Sequence, residues 1–390
     1  MKRSRHLVFF LCVVTAAMVS AVIQSSPAQP VGSFKVTNLL GSVGTKAPHK
    51  KDPHMINAWG NAFLPGGNPF WINDQGTGVS ELIDGKGIIS KALPFVKVPG
   101  VSANDKGQPT GIVGNISADF AIAGGPALFI FDTEEGTISG WNLSTGASAA
   151  IIVNNSATAS YTGLAIAQKN GANRLYAANF GTTGHAGSID VFDAAFNPIT
   201  VPGGFVDQNL PANFEPYNIA NVDGTHLLVA YAKGLQPVGQ VDEFDVDGNL
   251  IMSFTSATLA APWGMVIAPA NFGAFASDLL VGNVADGTIS AFNPANGEFL
   301  GQLADSKSRK IIIPGLWSLV VGGDAMNAKP DGIYFTAGPM GYAAGLFGVI
   351  EAGPVKKPKP TRTPRPTRTA RPKNTPADPS ATRTPMYPIY

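Results

Sequence analysis

Four histidines stand beyond the first 28 residues: His49, His54, His185 and His226. His49 and His54 flank Lys50, Lys51, Asp52 and Pro53, and two imidazoles so spaced in one loop can share a metal ion. The surrounding sequence shows no third ligand for them. His185 lies in a Gly-Thr-Thr-Gly-His turn and His226 opens an apolar run, so both read as solvated. No Gly-x-Ser-x-Gly elbow and no His-Glu-x-x-His helix motif occurs. Asp245-Val246-Asp247-Gly248-Asn249 is an incomplete calcium loop and reads as a hairpin turn. The single cysteine, Cys12, lies in the N-terminal apolar run. Past that run the chain has no thiol nucleophile, disulfide or cysteine metal site. No catalytic residue and no metal ligand is therefore assigned.

A second set is rich in oxygen. Asn73 with Asp74, Asp132, Asn179, Asn283 and Thr336 each close a strand-like segment. If such strand ends converge on one mouth of a channel, their oxygens can hold Ca²⁺ or a small polar ligand. Asp74, Asn179 and Asn283 are the candidate ligand-binding residues. The plainer alternative is that each side chain caps its own turn. Trp59, Trp263 and Trp317 fall in small-residue strands and read as packing between blades rather than a sugar platform.

The elements that would position these residues come from a repeat. Its pattern is Gly, any residue, an apolar residue, two more, a bulky apolar residue, then Asp, Asn or Glu. It is loosest at Gly78-Val79-Ser80-Glu81-Leu82-Ile83-Asp84. It returns from Gly136 to Asn142, Gly187 to Asp193, Gly239 to Asp245, Gly287 to Asn293 and Gly345 to Glu351. The starting glycines are 58, 51, 52, 48 and 58 residues apart. Each copy reads as a turn, with Gly at positive φ, leading into a strand that Asp or Asn ends. Two further strand-like segments precede every copy in register, and the earlier one is built of small residues, as in Ala58-Trp59-Gly60-Asn61-Ala62. A fourth follows most copies. The sequence thus predicts an all-β, six-bladed β-propeller of four-stranded blades. The last copy lacks a fourth strand, and Ser33 to Leu39 has no other place. That segment is expected to complete blade six and close the ring.

Both ends differ from the body. Lys2, Arg3 and Arg5 precede an apolar run from Leu7 to Val22, so residues 1–28 read as a signal peptide, and no membrane span is expected in the mature chain. Residues 354–390 carry nine Lys and Arg and one acidic residue among many Pro and Thr, and read as a disordered tail. The whole chain has a net charge of +1 from 27 basic and 26 acidic residues. Without the tail and the three N-terminal cations, residues 29–353 keep 15 basic and 25 acidic residues, near −10. Such a body is not expected to bind nucleic acid specifically.

Several stretches resemble a family of uncharacterised secreted bacterial six-bladed β-propeller proteins. They include Asn57-Ala58-Trp59-Gly60, Phe129 through Asn142, and Leu175-Tyr176-Ala177-Ala178-Asn179-Phe180. Ala261-Pro262-Trp263-Gly264 through Leu280-Val281-Gly282-Asn283 is the most specific. A more distant similarity runs to NHL-type and lactonase-like propellers, whose acid and histidine sets do not recur here. The resemblance implies a propeller and export, and carries no catalytic residues. The resulting expectation is an exported, monomeric binding or interaction module at the cell envelope, with a small polar ligand or an envelope polymer as partner. The alternative is a Ca²⁺-dependent lactonase-like hydrolase or a lyase at the channel mouth. A quinone-dependent dehydrogenase ranks last.

Overall fold

The computed structural model describes residues 33–48 and 51–353. Residues 1–32 with Cys12, His49 and the tail from residue 354 lie outside the described residues.

Six antiparallel four-stranded sheets form the propeller. Blade 1 takes β2 (Ala58–Ala62), β3 (Phe70–Asp74), β4 (Val79–Ile83) and β5 (Phe95–Lys97) in that order, from the inner strand outward. The inner strands of the following blades are Pro109–Gly114, Tyr161–Lys169, Glu215–Asn221, Pro262–Ile267 and Leu316–Val321. Closure follows the sequence expectation. β1 (Phe34–Gly41) pairs antiparallel with Leu346–Ala352, from Phe34 against Ala352 to Gly41 against Leu346, and so completes blade 6. The first strand thereby fills the last blade and covers the edge that Leu346–Ala352 would otherwise expose.

The motif works through its turns. Asp84 accepts the amides of Lys86 and Ile88, Asp193 those of Ala195 and Asn197, and Asp245 those of Asp247 and Asn249. Its starting glycines divide into two kinds, which the pattern did not foresee. Gly78, Gly136 and Gly287 take the left-handed φ expected of a turn. Gly187, Gly239 and Gly345 do not, and are glycine because of crowding instead. A Cβ on Gly239 would stand 2.1 Å from Pro262 Cδ, and one on Gly345 2.4 Å from the Met55 carbonyl oxygen.

Six hydrophobic clusters each fill the space between two neighbouring blades, for example Trp71 with Phe129 between blades 1 and 2. A seventh lies on the axis around Trp59, Trp263 and Trp317. There the inner strands meet backbone to backbone. A Cβ on Gly60 would sit 2.3 Å from the Thr110 carbonyl oxygen, on Gly111 2.6 Å from the Leu164 nitrogen, and on Gly264 2.5 Å from the Trp317 carbonyl oxygen. Each of these contacts reaches the next blade. Where the fourth blade has Asn218 at this register, its amide nitrogen instead donates to the Trp263 carbonyl at 2.7 Å. Gly264→Ala should accordingly destabilise the fold by about 1–3 kcal/mol, since rigid backbone on the facing strand must move. Urea unfolding of the variant beside the wild type measures this.

Candidate functional site

The axial cluster is three indoles deep. Trp59 and Trp317 stack with ring centroids 3.6 Å apart and planes at 15°. Trp263 stands edge-on to both, at 6.3 and 6.1 Å. These rings divide the channel. On one side is a cavity of about 380 Å³ lined by the ends of the inner strands, including Asn61, Asn218, Met265 and Ser318. On the other is a cavity of about 370 Å³ where the inner strands begin. Trp59, Trp317, Tyr217, Phe180 and Tyr342 wall this second cavity, and Asn57, Gln75 and Glu134 supply its polar groups.

The polar groups of that mouth are ordered by one another. The Trp317 indole N–H donates to Asn57 Oδ1 at 2.8 Å, and Asn57 Nδ2 donates to Gln75 Oε1 at 3.2 Å. Gln75 Nε2 then donates to Glu134 Oε2 at 2.6 Å and to Gln108 Oε1 at 3.0 Å. Burial raises the Glu134 carboxyl above its ordinary range, and the Gln75 amide partly offsets this. The Trp263 N–H is taken by the Thr162 carbonyl at 2.9 Å. The Trp59 N–H has no partner, although the residue is buried. A buried donor without an acceptor costs about 1–3 kcal/mol, which makes it the one unfilled bond in this floor.

The oxygen-rich strand ends occupy two adjacent registers. Asn73, Asp132 and Thr336 pair with Ser80, Ile138 and Phe347, the third residue of the motif. Asp74 and Asn179 pair one step further on, with Val79 and Ser188, and the Asn283 amide bonds the equivalent Thr288 carbonyl. Neighbouring strand residues point to opposite sheet faces. In the first group Asn73 and Thr336 reach the next blade, Asn73 donating to the Thr110 and Gly111 carbonyls and Thr336 Oγ1 to that of Trp59, while Asp132 bonds the inner strand of its own blade. Asp132 Oδ1 accepts the Gly111 amide and the Thr110 hydroxyl. The second group faces the chain entering its own blade. Asn179 accepts the amides of Ser160 and Gly181, and Asn283 accepts that of Ala260 while donating to the Thr258 carbonyl. No hydrogen bond joins Asp74, Asn179 and Asn283 among the described residues.

Asp74 differs from the other two. It is fully buried, and neither carboxylate oxygen has a hydrogen-bond partner. Around it stand Glu81 of β4 and Asp52 in the loop between β1 and β2. Burial, then the neighbouring Glu81 charge, raises the Asp74 carboxyl. Burial, then Asp52, pushes Glu81 up to about 8. His54, from the same loop as Asp52, places Nδ1 3.2 Å from Asp52 Oδ1 and 3.8 Å from Glu81 Oε1. Sequence reasoning sought a third ligand for His54 within the loop, whereas the fold brings carboxylates from β3 and β4. One signal was legible: Glu81 occupies the fourth motif position, where the other copies carry Ser139, Asp190, Asp242, Ser290 and Gly348.

No family model matches the chain. It is 31% identical over 334 residues to the uncharacterized protein R648 of Acanthamoeba polyphaga mimivirus, covering 80% of this chain and 78% of that one. It is also 31% identical over 316 residues to the uncharacterized protein L690 of the same virus, covering 75% and 80%. These relatives are viral, where the sequence resemblance pointed to secreted bacterial proteins. Among solved structures, a GH93 α-L-arabinofuranosidase of Fusarium graminearum superposes with a TM-score of 0.51 at 12% identity, covering 82% of this chain and 97% of that one. A protein of unknown function from Bacteroides thetaiotaomicron superposes with a TM-score of 0.50 at 13% identity, covering 82% and 76%. Both likenesses reflect the propeller fold.

Asp132 gives the buried polar ring a measurable pH dependence. Burial pushes its carboxyl up to about 7, well above the ordinary carboxylate range that the unfolded chain keeps. Between about pH 4 and 7 the folded state therefore holds a proton that the unfolded state has released, and stability falls as pH rises through this window. Glu81 and Asp242, pushed up to about 8 and about 6, act with the same sign. Asp132→Asn should flatten the decline without abolishing it, which urea unfolding at pH 5 and 7.5 in chelator will show.

Proposed function

The chain belongs to one family with the uncharacterised mimivirus proteins R648 and L690, and from that premise we propose that it is a binding module whose ligand enters the aromatic-walled mouth of the propeller. The ligand class is a saccharide: a ring with an apolar face for Tyr342, Phe180 and Tyr217, and oxygens for the polar rim. The Trp59 N–H carries this reading, because it is the one indole donor of the axial cluster left without an acceptor, and its residue lines that cavity. The nitrogen is closed off from solvent in this structure, so a ring or hydroxyl oxygen of the ligand would fill it once the indole tilts toward the cavity. Glu134 brings a carboxylate acceptor to the same cavity, and aromatic walls with a few placed polar groups are the common make-up of small-molecule sites. The cavity, at about 370 Å³, has room for one or two sugar rings, so a chain end of an envelope polysaccharide fits the same chemistry.

Glycan-array screening followed by calorimetry tests this. Trp59→Phe removes the N–H together with part of the stacked ring system, and should weaken binding by at least roughly tenfold, the worth of one hydrogen bond. Binding to no saccharide, or unchanged affinity in Trp59→Phe, rejects the reading.

Export and retention at the envelope belong to the same proposal. Their support is the basic and apolar N-terminal segment and the nine Lys and Arg of residues 354–390. Deleting residues 354–390 should leave thermal unfolding of the propeller unchanged and release the protein from anionic envelope fractions. Equal retention of the truncated chain would show that the tail is no tether.

A further inference from the structure

Side chains of the loop between β1 and β2 meet buried carboxylates of β3 and β4. We propose that Asp52, His54 and Glu81, with the buried Asp74 beside Glu81, bind one divalent first-row transition cation, Zn²⁺ being the best match, which clasps this loop onto blade 1. Four observations support it. One ligand atom each from Asp52, His54 and Glu81 lies within 4.8 Å of the other two. The measured separations of 3.2 and 3.8 Å from His54 Nδ1 bracket the spacing of about 3.4 Å between ligands held 2.0–2.2 Å from a tetrahedral ion. Asp74 is wholly buried, neighbours Glu81, and leaves both its oxygens without a hydrogen bond. Glu81, almost as buried, leaves Oε2 without one as well.

Charge balance argues in the same direction. Among the described residues no Lys or Arg pairs with any of the three carboxylates; His54 alone does. A divalent ion would let these buried carboxylates ionise in place, which a single imidazole does not balance. The ligand set also selects among metals. Ca²⁺ and Mg²⁺ favour all-oxygen shells, whereas one imidazole with carboxylates suits Zn²⁺. Three protein ligands leave the fourth tetrahedral position to water. His54 forms its outer wall: the side chain is 44% exposed and its ring packs 4.8 Å from that of Phe95.

The clasp has a defined place in the fold. The loop starts at the strand that closes blade 6 and ends at Asn57, which receives the Trp317 N–H in the aromatic mouth. Its backbone is also tied to blade 6, with the Asp52 amide on the Gly41 carbonyl and the Asn57 amide on that of Ala344. A metal at Asp52 and His54 would anchor the middle of the loop to β3 and β4. The site lies off the axis and is separate from the saccharide cavity.

The test uses the untagged full chain, stripped with chelator and titrated with Zn²⁺, with Ca²⁺ and Mg²⁺ as comparators, by calorimetry and thermal unfolding. One Zn²⁺ should bind per chain and raise Tm, and neither comparator should match it. Glu81→Gln and Asp74→Asn keep side-chain size and should raise the Zn²⁺ Kd, by more than roughly 100-fold for the ligand Glu81 and by roughly 10- to 100-fold for its buried neighbour Asp74. Their Tm in chelator reports independently on folding. Three outcomes overturn the proposal: no Zn²⁺ response in the wild type, an equal response in both variants, or a response to Ca²⁺ alone. A higher Tm of Asp74→Asn in chelator, with no Zn²⁺ response in the wild type, would mean that the carboxylates share protons instead.

Discussion

Six inner strands must pass one another around the axis with almost no room for side chains between them. Gly60, Gly111 and Gly264 meet the backbone of the next blade so closely that one added carbon would overlap it. This backbone approach sets the radius of the ring. The residues that then point into the channel decide what it can do, because the channel is too narrow for more than a few of them. Three of those residues are tryptophans, and their mutual packing plugs the channel and leaves a shallow cavity on either side. The mouth with aromatic walls is therefore a consequence of how tightly the inner strands crowd.

The same crowding explains the buried polar groups. Inner-strand backbone turned toward a neighbouring blade still needs hydrogen bonds, and the second strands supply them. Asn73 and Thr336 donate to carbonyls of the next blade, and Asp132 accepts a backbone amide. One register later, Asn179 and Asn283 do the equivalent for the chain entering their own blades. Asp74 stands at that same register without such a duty, since the entering loop brings Asp52 and His54 there instead of backbone donors. Blade 1 thus departs from the repeat at the blade next to the closure, where the chain has a long loop to accommodate.

The repeat carried most of the fold in its local chemistry. Alternation, small inner strands and Asp or Asn at strand ends gave six blades of four strands, and an unassigned segment beside an incomplete blade gave the closure. The reason given for the motif glycines held for only half of them. Positive φ explains Gly78, Gly136 and Gly287, whereas Gly187, Gly239 and Gly345 respond to atoms of residues elsewhere in the chain. The polar strand ends, which look alike in sequence, alternate between two faces, because a shift of one residue reverses a strand side chain.

Strand order and blade number were determined by the sequence itself, because each rests on periodicity and turn residues within about fifty positions, and the N-to-C seam followed because one strand-like segment was left over beside a blade that lacked one. Which buried groups would be left unsatisfied was decided only by the tertiary structure. The Trp59 N–H lacks an acceptor while the like-placed Trp263 and Trp317 have theirs, and the difference lies in residues from other blades. Asp52, His54, Asp74 and Glu81 come from a loop and two strands whose spacing resembles no metal motif. They meet because the closing strand returns the chain to blade 1 and lays that loop across its face, and a contact made by packing leaves no period in the sequence to read.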